Sequence, residues 1–131
     1  MTIKLLAVTA MICGTLSADT GAALFDAKCA KCHIKVQPTP EMKRDLIAPP
    51  AMGVMFHVKE AFAGDRKAAT AFVAGYALKP SREQAKCMPQ AIRRFGLMPS
   101  QQGRVSEAEL TLIADYLYDN FPTEGFRPGM P

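Results

Sequence analysis

Metal-binding residues are scarce in this chain, which has two histidines and four cysteines among its 131 residues. A structural zinc site takes four such ligands at short, regular spacings. Outside residues 29–33 and the N-terminal segment, only His57 and Cys87 remain, and they stand at no zinc-ligand spacing. Strand-like alternation is also absent, so a thioredoxin-like redox site lacks the βαβ context that it needs. These absences argue against both kinds of site.

A long apolar run is missing as well. The stretch Leu5–Leu16 is apolar apart from two Thr and one Gly, but its twelve residues fall short of the roughly 20 that span a bilayer. It follows Lys4 and precedes the small pair Ser17-Ala18, which is the order of a secretory signal peptide. We therefore expect residues 1–18 to be a cleaved leader, with an uncleaved anchor as the alternative. Residues 19–131 are then one periplasmic domain without a stable membrane span.

What the chain does have is the cluster Cys29-Ala30-Lys31-Cys32-His33, the attachment pattern for c-type haem. Residues i and i+3 share one face of a helical turn, so Cys29 and Cys32 can both form thioether bonds to one porphyrin edge. His33 then lies beneath the ring, where an imidazole nitrogen can ligate the iron. The sequence therefore predicts one covalent haem c, and we expect the chain without it to be poorly folded.

Helical periodicity recurs along the chain, so the predicted fold class is all-α, with several short helices around one haem. The clearest helix is the last, where Ser106-x-x-Glu109 is a capping box before an apolar stripe that Pro122 stops. Four prolines between residues 34 and 53 predict an irregular loop, and residues 122–131 read as an irregular tail. In chain order, the predicted helices cover about residues 20–31, 54–63 (weakly), 66–79, 81–95 with a break or kink at Pro89, and 106–121.

A second axial ligand is needed above the haem, and methionine sulfur is a common one in cytochromes c. Met98 is the predicted ligand, because Gly96 and Pro99 hold it in a rigid loop 65 residues after His33. Met88 is the nearest rival but lies within a predicted helix, and His57 or an open position remain alternatives. The other methionines are expected to fill the core.

Charge is unevenly distributed along the sequence. Five basic residues surround the haem motif, whereas residues 105–125 contain acidic but no basic side chains. The simpler interpretation is two solvated faces; the sharper one is a dipole that turns the haem edge toward an acidic redox partner. The bias is too mild to favour nucleic acid. The basic residues are Lys28, Lys31, Lys35, Lys43 and Arg44.

Together, these residues resemble class I cytochromes c over about residues 20–121. The resemblance rests on Gly21-x-x-x-Phe25 before the haem motif, on the 48–53 loop, on Met98-Pro99 and on the last helix. It implies that the Pro49 carbonyl accepts a hydrogen bond from the haem histidine, and that the last helix packs across the first near Gly21. Residues 55–95 match only loosely, tryptophan is lacking, and Cys87 is foreign to the pattern.

The resulting hypothesis is a monohaem protein that carries single electrons between periplasmic partners. Its haem is expected to be held by Cys29, Cys32, His33, Pro49 and Met98. No catalytic acid or base is evident, so the chain is not predicted to be an enzyme by itself. The alternative is a haem c subunit, or an enzyme with an open or weakly ligated iron that acts on a sulfur species or peroxide. Cys87 keeps that alternative open, although a small buried side chain is its simplest role.

Overall fold

The computed structural model describes residues 18–129. This part of the chain contains six helices joined by loops and turns, and no strand. The all-α prediction is therefore confirmed. The predicted leader lies outside the described residues, except for Ala18, which begins the first helix. In chain order, the helices are α1 (Ala18–Lys28), α2 (Pro40–Asp45), α3 (Ala51–Ala61), α4 (Arg66–Leu78), α5 (Pro89–Phe95) and α6 (Glu107–Asn120).

The last helix begins as its sequence predicts. The Ser106 side chain accepts a hydrogen bond from the Glu109 backbone N–H, and the Glu109 carboxylate accepts one from the Ser106 N–H. This reciprocal pair satisfies two of the N–H groups that a helix start leaves unbonded. The apolar stripe of α6 is buried at Leu110, Ile113 and Leu117. Helix α6 is thereby the central element against which α1 and α4 pack.

Helices α1 and α6 approach most closely at Gly21. A Cβ atom placed on Gly21 would lie 2.4 Å from the Leu112 carbonyl oxygen and 2.8 Å from the Tyr116 Cβ. One turn further along α1, the Phe25 ring is 2% exposed and packs against the rings of Tyr116 and Phe121. The absence of a side chain at Gly21 therefore sets the distance between the two helices.

Helix α4 is fixed to α6 from its first residues onward. Asp65 caps it by accepting a hydrogen bond from the Ala68 N–H at 3.1 Å. Arg66 forms ion pairs with Asp115 and Asp119 of α6, and Ala69 is fully buried. The ion pairs are exposed and add little to stability. The close packing of α4 on the core depends instead on small buried side chains such as Ala69.

Two prolines begin helices in the structure, at places where the sequence predicts a loop or a break. Residues 34–53 were predicted to be irregular, but Thr39 caps α2 and Pro40 is its first residue. Similarly, α5 begins at Pro89, so the predicted helix from Ser81 with a break at Pro89 is wrong. Ser81 caps only an isolated turn there. Both errors have one cause: proline has no N–H to donate, and the first helical position needs none.

The segment after α6 has no regular structure up to residue 129, yet it packs on the protein. The Phe126 ring lies 5.8 Å from that of Phe56 and against the hydrophobic core. Thr123 donates from its backbone N–H and its hydroxyl to the Met52 sulfur, at 3.5 and 3.7 Å. The tail is therefore irregular but held against α3.

Candidate functional site

The five-residue motif continues α1 as a further turn. The N–H groups of Cys29 and Ala30 donate to the Phe25 carbonyl at 2.8 and 2.9 Å, and the His33 N–H donates to the Cys29 carbonyl at 2.9 Å. Neither cysteine forms a disulfide within residues 18–129, and Cys29 is half-buried whereas Cys32 is exposed. Burial raises the pKa of the Cys29 thiol. The local fold thus places two thiols and an imidazole within one turn, between the core and solvent.

The His33 ring is fixed by the loop before α3. Its Nδ1 lies 2.7 Å from the carbonyl oxygen of Pro49. A carbonyl can only accept, so Nδ1 carries the proton and Nε2 keeps a free lone pair. The loop itself is held to the motif, because the Ala51 N–H donates to the Ile34 carbonyl at 2.9 Å. Burial lowers the pKa of His33, against the opposing effect of the Pro49 hydrogen bond.

Met98 lies on a separate loop that is fastened to the end of α4. Ser100 donates from its hydroxyl to the Leu78 carbonyl at 2.6 Å, and the Gln101 N–H donates to the Ala77 carbonyl at 2.8 Å. Before Met98, Gly96 ends α5 with a φ of 76°, a backbone conformation that favours glycine. The Met98 side chain is half-buried against the same core cluster that Cys29 contacts.

No sequence pattern pointed to Gln101 as a residue of the site. It is 8% exposed, and its side-chain amide donates to the Pro99 carbonyl at 2.9 Å. It therefore stiffens the turn directly after Met98. Its contact with Ala77 joins positions 24 apart in sequence, which no local pattern reveals.

The rival ligands differ in their surroundings. Met88 is 46% exposed and precedes α5 as its N-cap rather than lying inside a helix. Met55 is fully buried in the core, and the Met52 sulfur accepts hydrogen bonds from the tail. His57 is half-buried, with its ring edge on to Phe56 at 5.3 Å.

The donors present fit a covalent haem better than a bare metal ion. Within residues 18–129, no three His, Cys, Asp or Glu side chains cluster closely enough to hold a metal ion. Two cysteines three residues apart can each form a thioether bond, and a neutral His33 imidazole would have Nε2 available to ligate iron. The described residues therefore supply what haem c requires at the motif itself.

The comparisons with known proteins agree with this chemistry. The family described as "Cytochrome C oxidase, cbb3-type, subunit III" matches residues 16–117, a range that contains the motif, the 48–53 loop and Met98. The chain belongs to this family of class I c-type cytochrome domains. An uncharacterized protein of Aquifex aeolicus (strain VF5) is 34% identical to it over 113 residues, which cover 77% of this chain and 73% of that protein. No solved structure matches significantly.

As a cytochrome c domain, the protein has the fold of a haem-based electron-transfer module, and its family binds haem c. Among residues 18–129 of this cytochrome, no helix is both long and apolar enough to cross a membrane. The predicted signal peptide falls outside those residues.

Two lysines beside the motif of this cytochrome are paired. The Lys28 ammonium lies 3.0 Å from the Glu109 carboxylate and also donates to the Arg104 carbonyl. Lys35 forms an ion pair with Asp26. Their acidic partners offset the charge of two of the five basic residues around the motif.

Proposed function

We propose that this cytochrome carries single electrons between periplasmic redox proteins through one covalent haem c with His33 and Met98 as axial ligands. The observation that carries the proposal is the 2.7 Å hydrogen bond between His33 Nδ1 and the Pro49 carbonyl. Bound haem supplies a reversible one-electron centre. Membership of a cytochrome c family supports the coarser part of the proposal, haem-based electron transfer.

Pro49 acts as a positioning residue for His33. Its carbonyl selects one tautomer, which leaves Nε2 unprotonated, and it limits rotation of the ring. A hydrogen bond of this kind also makes the imidazole a stronger electron donor toward iron. Burial acts in the same direction on the protonation state, because it disfavours the imidazolium form. His33 is thus prepared as a ligand by the protein backbone.

Met98 is proposed as the opposite ligand because its loop is restrained on both sides. Gly96 supplies the turn before it, and Gln101 and Ser100 hold the chain after it. Thioether sulfur stabilises the reduced iron and so raises the reduction potential. A restrained ligand loop is expected to change its structure little between the ferric and ferrous states. The reorganisation energy of electron transfer should therefore be small.

Replacing Met98 with alanine should open the upper iron position. We expect the ferric holoprotein to lose the sulfur-to-iron charge-transfer band in the far red and to bind added imidazole or cyanide much more tightly. The reduction potential should fall, because a soft ligand is lost. Optical titration with imidazole and potentiometry measure both effects.

Met88→Ala is the matched control, since it removes the same side chain from an exposed position ten residues earlier. It should leave the band and the imidazole affinity unchanged. If Met88→Ala opens the iron and Met98→Ala does not, the proposed ligand is wrong. His57→Ala tests the remaining alternative in the same titration.

A second candidate is a haem c subunit held permanently in a larger oxidoreductase. The description of the family names an oxidase subunit and therefore favours this candidate. Both candidates transfer electrons by the same outer-sphere chemistry. They differ in how long the cytochrome stays bound to its redox partner. Purification from the native host under mild conditions separates them, because a carrier elutes alone and a subunit elutes with its partners.

A further inference from the structure

Residues 79–97, which we call the basic arm, begin at the C-terminal end of α4. The chain returns to that end of the helix directly after the arm. Hydrogen bonds from Ser100 to the Leu78 carbonyl and from Gln101 to the Ala77 carbonyl hold the two ends of the arm side by side. Helix α5 lies within the arm, and none of its residues is fully buried. The arm is therefore an excursion on the surface that ends immediately before Met98.

The net charge of the protein is concentrated in this arm. It contains five basic residues and one acidic residue, Glu83, which gives a formal charge of +4. The whole chain also has a formal charge of +4, so all other residues together are electrically balanced. The basic residues of the arm are Lys79, Arg82, Lys86, Arg93 and Arg94.

Two of these cations hold the arm on the protein. The Lys86 ammonium lies 5.6 Å from the centre of the Phe72 ring and 5.8 Å from that of Phe62. Arg94 donates to the Lys43 carbonyl in α2. These contacts attach the arm to Phe62 directly after α3, to α4 and to α2, so the Lys86 and Arg94 side chains are only partly available to another molecule.

Arg82 and Arg93 are different, because neither has an ion pair or side-chain hydrogen bond within the described part of the chain. Both line one surface cavity of about 340 Å³, whose other walls are Ala85, Cys87, Pro89 and Ile92. A cavity lined by two exposed arginines together with apolar side chains would suit a carboxylate on a hydrocarbon stem.

The arm also carries exposed apolar side chains. Met88 is 46% exposed and Leu97 is 38% exposed, and Leu97 directly precedes Met98. A few apolar contacts within a charged rim are typical of protein–protein interfaces. A lipid surface is less suitable as the occupant, since α5 has only seven residues and membrane-surface helices present a long apolar face.

We infer that the basic arm is the docking surface for an acidic redox protein, with a partner carboxylate entering the cavity between Arg82 and Arg93. The inference rests on the proposed electron-transfer function and names the partner's chemistry. It moves the docking surface away from the lysines of the haem motif, where Glu109 and Asp26 pair with Lys28 and Lys35. Unpaired charge at the arm would steer the encounter, since long-range charge acts mainly on association rates.

The test uses the reduced holoprotein and two oxidants of opposite charge, ferricyanide and tris(phenanthroline)cobalt(III). At low ionic strength, Arg93→Glu should slow oxidation by ferricyanide several-fold and accelerate oxidation by the cobalt complex. Both effects should shrink as salt rises, because the screening length falls to about 8 Å at physiological strength. Poly-glutamate should inhibit ferricyanide oxidation of the wild type more than that of Arg93→Glu.

Lys67→Glu is the control, because it changes the net charge by the same amount on an exposed residue of α4. Lys67 does not line the cavity between Arg82 and Arg93, and it lies about 7.5 Å along α4 from Phe72, which Lys86 contacts, by the helical rise of about 1.5 Å per residue. Its reversal should alter both rates only slightly. Equal effects of Arg93→Glu and Lys67→Glu would overturn the inference, and so would a larger effect of Lys31→Glu with Lys35→Glu.

Two further outcomes are decisive. Binding to phosphatidylglycerol vesicles that Arg93→Glu abolishes, without inhibition by poly-glutamate, would assign the arm to a lipid surface and overturn the inference. Failure of the wild type to react with either oxidant would instead contradict the proposed function. Those results are distinguishable, because the first leaves electron transfer intact.

Discussion

Gly21→Ala should destabilise the holoprotein by roughly 1–3 kcal/mol, the usual cost of overfilling a packed interior. The added methyl group would lie 2.4 Å from a backbone carbonyl oxygen of α6, and backbone cannot rotate away as a flexible side chain can. Helix α6 must therefore move, and the contacts of Phe25 with Tyr116 and Phe121 would loosen. Urea unfolding followed by circular dichroism measures the change.

Gly75→Ala makes the same chemical change where space is free. Gly75 lies within α4, is exposed, and an added Cβ would meet nothing within 4 Å. Alanine should stabilise that helix by about 0.5–1 kcal/mol, since glycine is a poor helix former. The two variants should therefore change stability in opposite directions. Equal stability of the two would show that the α1–α6 distance is adjustable.

Replacing both Cys29 and Cys32 with serine should abolish covalent attachment of haem. The doubly substituted chain should release any bound haem into acidified organic solvent, and its mass should equal that of the apoprotein. We expect it to be poorly folded, because the haem is a large part of the apolar interior in this family. Each single substitution should keep one thioether bond and one haem.

Cys87→Ser controls for the loss of a thiol elsewhere. Cys87 is half-buried within the basic arm, where burial raises its pKa. Its replacement should leave the attached haem unchanged by mass spectrometry. Haem that remains covalently bound in the Cys29→Ser, Cys32→Ser chain but not in Cys87→Ser would contradict the assignment of the motif.

Local sequence signals predicted the parts of the fold that depend on local chemistry. The capping box at Ser106, the Asp65 cap and the apolar stripe of α6 each involve residues within one or two turns, and all three are present in the structure. Helices α2 and α5 were missed or misplaced because their prolines, Pro40 and Pro89, begin helices instead of ending them. A Thr before Pro40 was a usable signal for α2.

Long-range contacts were beyond the reach of sequence patterns. The pairing of Lys28 with Glu109 joins residues 81 apart, so lysines that cluster in sequence proved to be partly neutralised in space. The packing of Phe126 on Phe56 is a similar case. The contact of His33 with Pro49 was accessible only through the family resemblance, because nothing in their 16-residue separation indicates a hydrogen bond.

The closed ends of the basic arm also bear on how such proteins diversify. Ser100 and Gln101 return the chain to the point where α4 ends, so residues between these anchors can be lengthened, shortened or replaced without displacing the elements beneath them. Surface excursions tolerate such changes far better than packed helices. Descendants of one ancestral domain could thus exchange one redox partner for another while inheriting the same electron-carrying centre.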